Sequence, residues 1–141
     1  MIPNITNSQE GFRFLNQNKK TERIRFKFIN NLIVIPLKIN GKKLSFILDS
    51  GVSKTILFNI TQNDSIGLNS VEKVSLRGLG KGEPVEALLS KNNKLSLKNI
   101  VSYDETIYVI VRDYFDLSSK MGTTIHGIIG YNLLSNYVVK I

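Results

Sequence analysis

The most chemically informative stretch of the sequence is one Asp-Ser-Gly tripeptide, Asp49 to Gly51, between two apolar runs. The run Phe46 to Leu48 leads directly into Asp49, where a charge is costly to bury unless it finds partners. Gly51 lets the backbone approach closely or adopt positive φ, and Ser50 offers a short hydroxyl to neighbouring polar groups. Asp-Ser-Gly also makes ordinary solvated turns, but such turns rarely have apolar flanks. The tripeptide is therefore a candidate carboxylate site.

A second stretch, His126 to Tyr137, strengthens this interpretation. It contains two apolar residues followed by glycine, Ile128-Ile129-Gly130, and then Asn132 to Asn136, which is long enough for a short helix. In this order, the two stretches resemble the single-domain, retropepsin-like aspartic proteases, including bacterial relatives, over roughly Arg23 to Ile141. In that family the apolar-apolar-Gly element packs under the catalytic loop. The soft departure is Val52, where the family commonly has alanine.

The resemblance implies that Asp49, Ser50 and Gly51 form the catalytic loop of an aspartic endopeptidase. In such enzymes two aspartates share one proton, so that one deprotonates the attacking water while the other donates a hydrogen bond to the carbonyl oxygen. This chain has one Asp-[Ser/Thr]-Gly, since Asp64-Ser65-Ile66 lacks the glycine. The remaining arrangement is a homodimer in which Asp49 of each copy meets at a two-fold axis and Ser50 braces the two loops.

A glycine-rich segment between two strand-like runs supplies the candidate substrate-binding residues: Gly78, Leu79, Gly80, Lys81 and Gly82. A phosphate loop also contains such glycines, but it must lead into the N-terminus of a helix. Pro84 and the short apolar run after it do not start a helix. A mobile hairpin tip explains the glycines better. By resemblance this hairpin is the flap that closes over a peptide or protein substrate, and the alternative is an ordinary flexible hairpin.

The composition of the chain limits which other catalytic or metal sites it can contain. The chain has 141 residues, no cysteine and a single histidine, His126. Disulfides and thiolate metal sites are therefore excluded, and little room is left for a zinc site or a Ser-His-Asp triad. We expect no metal and no cofactor. No apolar run reaches the ~18 residues of a membrane span, so we expect none.

The net charge of +8 raises a different possibility. Lysines and arginines are spread over the chain, whereas a nucleic-acid reader gathers them on one element with aromatic residues between. Arg23 to Lys27 alternates basic and apolar residues, which is also typical of an edge strand protected against aggregation. We therefore expect no nucleic-acid partner. Two alternatives to a protease stay open: a non-catalytic peptide-binding β-module of the same fold, and a basic β-domain that binds nucleic acid or anionic surfaces.

The remaining sequence predicts an all-β protein. At least six segments are strand-like, the stretch from Arg23 has the strand period of two, and no long helical period is present. Asn40-Gly41 is the favoured dipeptide for a two-residue type I′ hairpin turn, which would deliver Asp49 at the end of the following strand. We predict a closed β-barrel of the retropepsin-like acid protease fold with one short C-terminal helix.

The predicted organisation is a polar N-terminal arm, residues 1–22, followed by the protease domain, residues 23–141. The sequence ends on an apolar run, Tyr137 to Ile141, which we expect to form a strand. We also expect the native protein to continue past Ile141, because bacterial relatives of the family often carry a peptide-binding PDZ module there.

Overall fold

The computed structural model describes residues 11–58, 66–77, 82–111 and 116–141. These ranges form nine strands and two short helices. The strands are β1 (Arg13–Phe14), β2 (Lys27–Ile29), β3 (Leu32–Ile39), β4 (Lys42–Asp49), β5 (Thr55–Leu57), β6 (Glu72–Leu76), β7 (Val85–Leu97), β8 (Ile100–Ile110) and β9 (Gly127–Gly130). The helices are α1 (Leu117–Met121) and α2 (Tyr131–Leu134).

Six of the strands close into a barrel. Their order is β8-β5-β9-β4-β3-β7, and β7 pairs back onto β8. The other three strands extend this ring: β1 pairs with β8, β2 with β3, and β6 with β7. The predicted closed β-barrel is thus confirmed. The sequence predicts one short helix, whereas the described residues contain a second, α1, whose five residues are too few to show a helical period.

The barrel encloses two apolar clusters, and β4 contributes to both. Phe46 is fully buried in one cluster and Ile47 is buried in the other, because successive side chains of a strand point to opposite faces. Burying one such side chain is worth about 1.5–3 kcal/mol. The strand that ends at Asp49 is therefore fixed from both sides.

The β3–β4 hairpin has the predicted turn. Asn40 and Gly41 have φ values of 49° and 88°, as the positive φ values of a type I′ turn require. Ile39 then pairs with Lys42, and the register continues along the ladder to Ile33 and Leu48. The turn thus fixes which residue ends β4.

Strand β7 is longer than the sequence indicates. Turn-forming residues precede Leu95 and predict a break, but the strand runs through them with register shifts between Ser90 and Leu95. Asn93 is fully buried there, donates to Ser90 Oγ at 2.9 Å and accepts from Asn40 Nδ2 at 2.9 Å. A bulge accommodates the extra residues, and their amides satisfy one another.

The two ends of the described chain differ. Phe12 is buried in the core, and Arg13–Phe14 pairs with β8. The predicted C-terminal strand does not form, since no strand is assigned after α2. Val138 is 94% exposed and Ile141 is 84% exposed. A strand needs a partner for its main-chain groups, and within the described ranges none pairs with this segment. Neither short helix in those ranges has the length or apolar character to cross a membrane.

Candidate active site

Asp49 is the last residue of β4, and its neighbour in the sheet is Gly130. The two strands run parallel, with Leu48 opposite Ile129 and Asp49 opposite Gly130. Strand β5, which follows the Asp-Ser-Gly loop, pairs with the other side of β9 through Ile56 and Ile128. The two stretches singled out in the sequence therefore meet, and β9 lies between the strands that enter and leave the loop.

Main-chain hydrogen bonds fix the shape of the loop. The Asp49 carboxylate accepts from the Gly51 amide at 2.9 Å, and the Asp49 carbonyl accepts from the Val52 amide at 3.1 Å. The Tyr131 amide at the start of α2 donates to the Val52 carbonyl at 2.9 Å. The loop is thereby tied to the helix that follows β9, and one carboxylate oxygen of Asp49 is oriented by Gly51.

Two glycines of β9 allow this close packing. A Cβ on Gly130 would overlap the Asp49 carbonyl and lie 3.0 Å from the Val52 carbonyl oxygen. A Cβ on Gly127 would overlap the Ile56 carbonyl and the Phe46 ring. Only glycine permits such an approach between backbones.

His126 fastens β9 to its neighbours through its backbone and its ring. Its Nδ1 accepts from the Ser45 amide at 3.1 Å, and its own amide donates to the Ser45 carbonyl at 2.8 Å. Its carbonyl accepts from the Phe58 amide at 2.7 Å. The single histidine of the chain therefore has a structural role below the loop.

The loop itself faces outward. Asp49, Ser50 and Gly51 are all exposed. Gly51 supplies the hydrogen bond recorded for the Asp49 carboxylate in the described ranges, and the ion pairs there do not involve Asp49. Those ranges also contain no group of three or more His, Asp or Glu residues that could hold a metal ion.

An apolar cavity of about 360 Å³ opens beside the loop. Ser50 lies at its rim, and the rest of its lining is apolar or aromatic: Ile33, Leu48, Leu134, Tyr137, Val139 and Ile141. A larger cavity of about 1000 Å³ shares part of this wall and extends toward the N-terminal residues 12–26. An exposed carboxylate thus borders an apolar surface to which the C-terminal segment contributes.

Tyr137 is the residue of this wall that sequence reasoning did not single out. Its ring packs edge-on against Phe14, with the ring centroids 5.6 Å apart. Its hydroxyl is buried and has no hydrogen-bond partner among the described residues, and burial raises the pKa of this hydroxyl above its usual range. No local motif marks such a position, since its ring contact comes from Phe14, more than a hundred positions away in the chain.

The candidate substrate-binding residues are described in part. Gly78, Leu79, Gly80 and Lys81 lie outside the described residues. Gly82 is described, with φ of 83°, and a Cβ built on it would meet no atom of the described residues within 4 Å. Strands β6 and β7 on either side pair as a hairpin, with Leu76 opposite Val85.

A family model for aspartyl proteases matches residues 35–133 of the chain. The match spans more than half of the chain and includes both the Asp49 loop and β9. The chain has no match among curated proteins.

Proposed function

Because the chain belongs to the aspartyl protease family, in its retropepsin-like form, we propose that it is an aspartic endopeptidase whose catalytic pair consists of Asp49 from two copies. Family membership supports a protease-like function in general. The observation that carries the specific proposal is the position of Asp49, exposed at the end of a strand that is buried on both faces.

The proposed reaction needs two carboxylates close enough to share one proton. Two negative charges at this distance cannot both persist, so one group is ionised and the other protonated. The ionised Asp49 takes a proton from a water molecule as its oxygen attacks the peptide carbonyl. The protonated Asp49 donates a hydrogen bond to the carbonyl oxygen, and a proton then passes to the leaving nitrogen.

One chain supplies one Asp-Ser-Gly loop, so the pair requires a second copy. An exposed loop can meet its counterpart across a two-fold axis, with Ser50 of each copy bracing the other loop. The exposed apolar side chains Val138, Val139 and Ile141 support association. In the dimer these side chains would be buried, and the C-terminal segment would pair with a strand of the other copy.

Peptide substrate would lie over the paired loops, beneath the β6–β7 hairpin. In this proposal, the tip residues Gly78 to Gly82 act as the flap. A PDZ module after Ile141 stays a prediction of the family resemblance.

The central experiment compares Asp49→Asn with Asp104→Asn on a fluorescently labelled, unfolded protein substrate. Both variants lose one exposed carboxylate, but only the first removes the proton-sharing pair. We expect Asp49→Asn to lower kcat/KM by about 10³-fold or more, and Asp104→Asn to leave it within about twofold. Rates are measured from acidic to neutral pH at a protein concentration where the dimer is demonstrated by sedimentation.

Equal activity of wild type and Asp49→Asn contradicts the proposed mechanism. A wild-type dimer that binds the substrate without cleaving it at any pH supports the peptide-binding module instead. Binding of nucleic acid with a steep salt dependence, in the absence of cleavage, supports the basic β-domain.

A further inference from the structure

A row of cations crosses the barrel at the end far from Asp49. Lys43 on β4 lies directly opposite Lys38 on β3. Lys38 lies opposite Ser96 on β7, and Lys94 is two residues from Ser96 on the same strand, where side chains share a face. Lys94 Nζ lies 5.6 Å from the ring centroid of Tyr103 on β8.

Arg13 on β1 extends the row by one more strand. Its guanidinium carbon lies 5.4 Å from the same Tyr103 ring centroid. We call Lys43, Lys38, Lys94, Tyr103 and Arg13 the basic row. Since neighbouring strands are about 4.8 Å apart, the row spans roughly 19 Å across five strands. Lys43 lies six residues before Asp49 on β4, which places the row roughly 20 Å from the catalytic loop.

Protection of a free sheet edge against aggregation does not explain the positions of these lysines. Lysine often guards the free edge of a sheet, but β3 is paired on both sides at Lys38, with Lys43 on one side and Ser96 on the other. Like charges directly opposite each other destabilise a ladder. In the described ranges both ion pairs involve Glu22 and neither involves Lys38, Lys43 or Lys94. The fold therefore keeps an unfavourable concentration of positive charge at this position.

We propose that the basic row is a docking site for an acidic polypeptide segment in an extended conformation, separate from the active site. A segment of about six residues matches the length of the row, at about 3.4 Å per residue. Its carboxylates would relieve the repulsion between Lys38 and Lys43. The occupant is thus defined by its chemistry, a run of carboxylates on one extended chain.

The aromatic residue favours a peptide over single-stranded nucleic acid. Single-strand binders use open aromatic rings as platforms on which bases stack. Tyr103 already has Lys94 and Arg13 over its ring, and these contacts hold the two cations in place. The ring therefore holds the cations of the row, and a stacking base would have to compete with them for it.

The test uses the full chain and a fluorescein-labelled decamer of glutamate, with a glutamine decamer as the uncharged control, followed by anisotropy. The row variant carries Lys38→Gln, Lys43→Gln and Lys94→Gln. A matched control variant carries Lys27→Gln, Lys73→Gln and Lys120→Gln, which removes the same charge from exposed positions elsewhere. Active-site chemistry is not needed for this readout, so the result is independent of the proposed function.

We expect the row variant to weaken binding of the glutamate decamer about tenfold or more, and the control variant less than threefold. Equal weakening in both variants means that net charge alone attracts the peptide, and it overturns the proposal. Failure of the wild type to prefer the glutamate decamer over the glutamine decamer also overturns it. A thymidine decamer that binds more tightly than the peptide, and that the row variant releases, would assign the row to nucleic acid instead.

A single substitution keeps the proposal testable if the triple variant does not fold. Lys38→Gln removes one of the two lysines that lie opposite each other on β3 and β4. Without ligand it should raise the melting temperature, and the stabilisation gained by adding glutamate decamer should be smaller than for the wild type. An equal gain in melting temperature for both proteins contradicts the proposal.

Discussion

The Asp-Ser-Gly loop and the C-terminal segment line the same apolar cavity, but they differ in how far one chain supports them. The loop, Asp49 to Val52, is held by hydrogen bonds within itself and to α2. The segment, Tyr137 to Ile141, forms no strand and leaves Val138 and Ile141 largely exposed. The comparison distinguishes the loop, which one chain holds in place by itself, from the segment, which would need a second copy to pair with.

The physical difference lies in where each region finds its partners. The loop connects β4 to β5, and both strands pair with β9 in the closed barrel. Its geometry depends on glycines that no other residue can replace without moving a backbone. The segment follows a four-residue helix and has the Tyr137 amide bonded to the Leu134 carbonyl at 3.2 Å. We therefore expect substitutions in the first region to affect folding, and those in the second to affect association.

The largest effect is expected from Gly130→Ala. The new methyl group would overlap the Asp49 carbonyl, so β9 and the loop must separate. We expect a loss of about 4 kcal/mol or more in the free energy of unfolding, measured by chemical denaturation. Any remaining folded protein should have lost peptidase activity, because the backbone of Asp49 itself is displaced.

Gly67→Ala is the matched control, since a Cβ at Gly67 would meet no atom of the described ranges within 4 Å. Its stability should stay within about 1 kcal/mol of the wild type. If Gly130→Ala were as stable as this control and as active as the wild type, the close packing of β9 on the loop would not be the element that shapes the site.

The second-largest effect is expected from substitutions in the C-terminal segment. A variant with Val138→Ser, Val139→Ser and Ile141→Ser loses exposed apolar groups, so its unfolding free energy should change by less than about 1 kcal/mol in dilute solution. The dimer should weaken, and specific activity should fall about tenfold or more at concentrations where the wild type is still paired. Sedimentation and activity are measured over the same dilution series.

The control carries Val71→Ser and Val111→Ser, which change two other exposed valines. It should keep the concentration dependence of the wild type. Constant specific activity in a wild-type sample shown to be monomeric would contradict both the homodimer and the shared pair of aspartates.

The sequence was sufficient to predict the loop and the barrel because their signals are local. Asn40-Gly41 specifies its turn, and that turn sets the register that ends β4 at Asp49. The apolar-apolar-Gly run of β9 marks the strand that packs against the loop. The bulge around Asn93 was not predictable, since its buried amide is satisfied by Asn40, which is 53 positions away. The same residues read as a turn when seen alone.

The conformation of the C-terminal segment was not predictable even though its local signal is clear. Its apolar pattern, from Tyr137 to Ile141, is that of a strand, but a strand forms only where another strand accepts its main-chain groups. In the described residues no such partner pairs with it. The five residues of α1 carry no periodic signal, so the sequence around them predicts only a loop with a helical turn.

The smallest effect is expected from Tyr137→Phe, and it tests whether this end of the molecule is complete in one chain. The Tyr137 hydroxyl is buried without a partner in the part of the chain that the structure describes, so its removal from a monomer should leave stability unchanged or raise it by up to about 1 kcal/mol. Burial raises the pKa of the folded tyrosine above the value of about 10 in the unfolded chain. The wild type should therefore lose stability as the pH rises above about 10 and through the raised pKa, whereas Tyr137→Phe should not show this loss.

Tyr131→Phe, at an exposed tyrosine, is the control and should keep the alkaline loss. Melting temperatures are measured at pH 8 and from pH 9.5 to 11, in dilute and in concentrated protein. If the dimer supplies a partner for the hydroxyl, Tyr137→Phe becomes destabilising in the concentrated sample alone. An equal effect at both concentrations means that the hydroxyl has no partner in the dimer either, and that the segment associates through its apolar side chains.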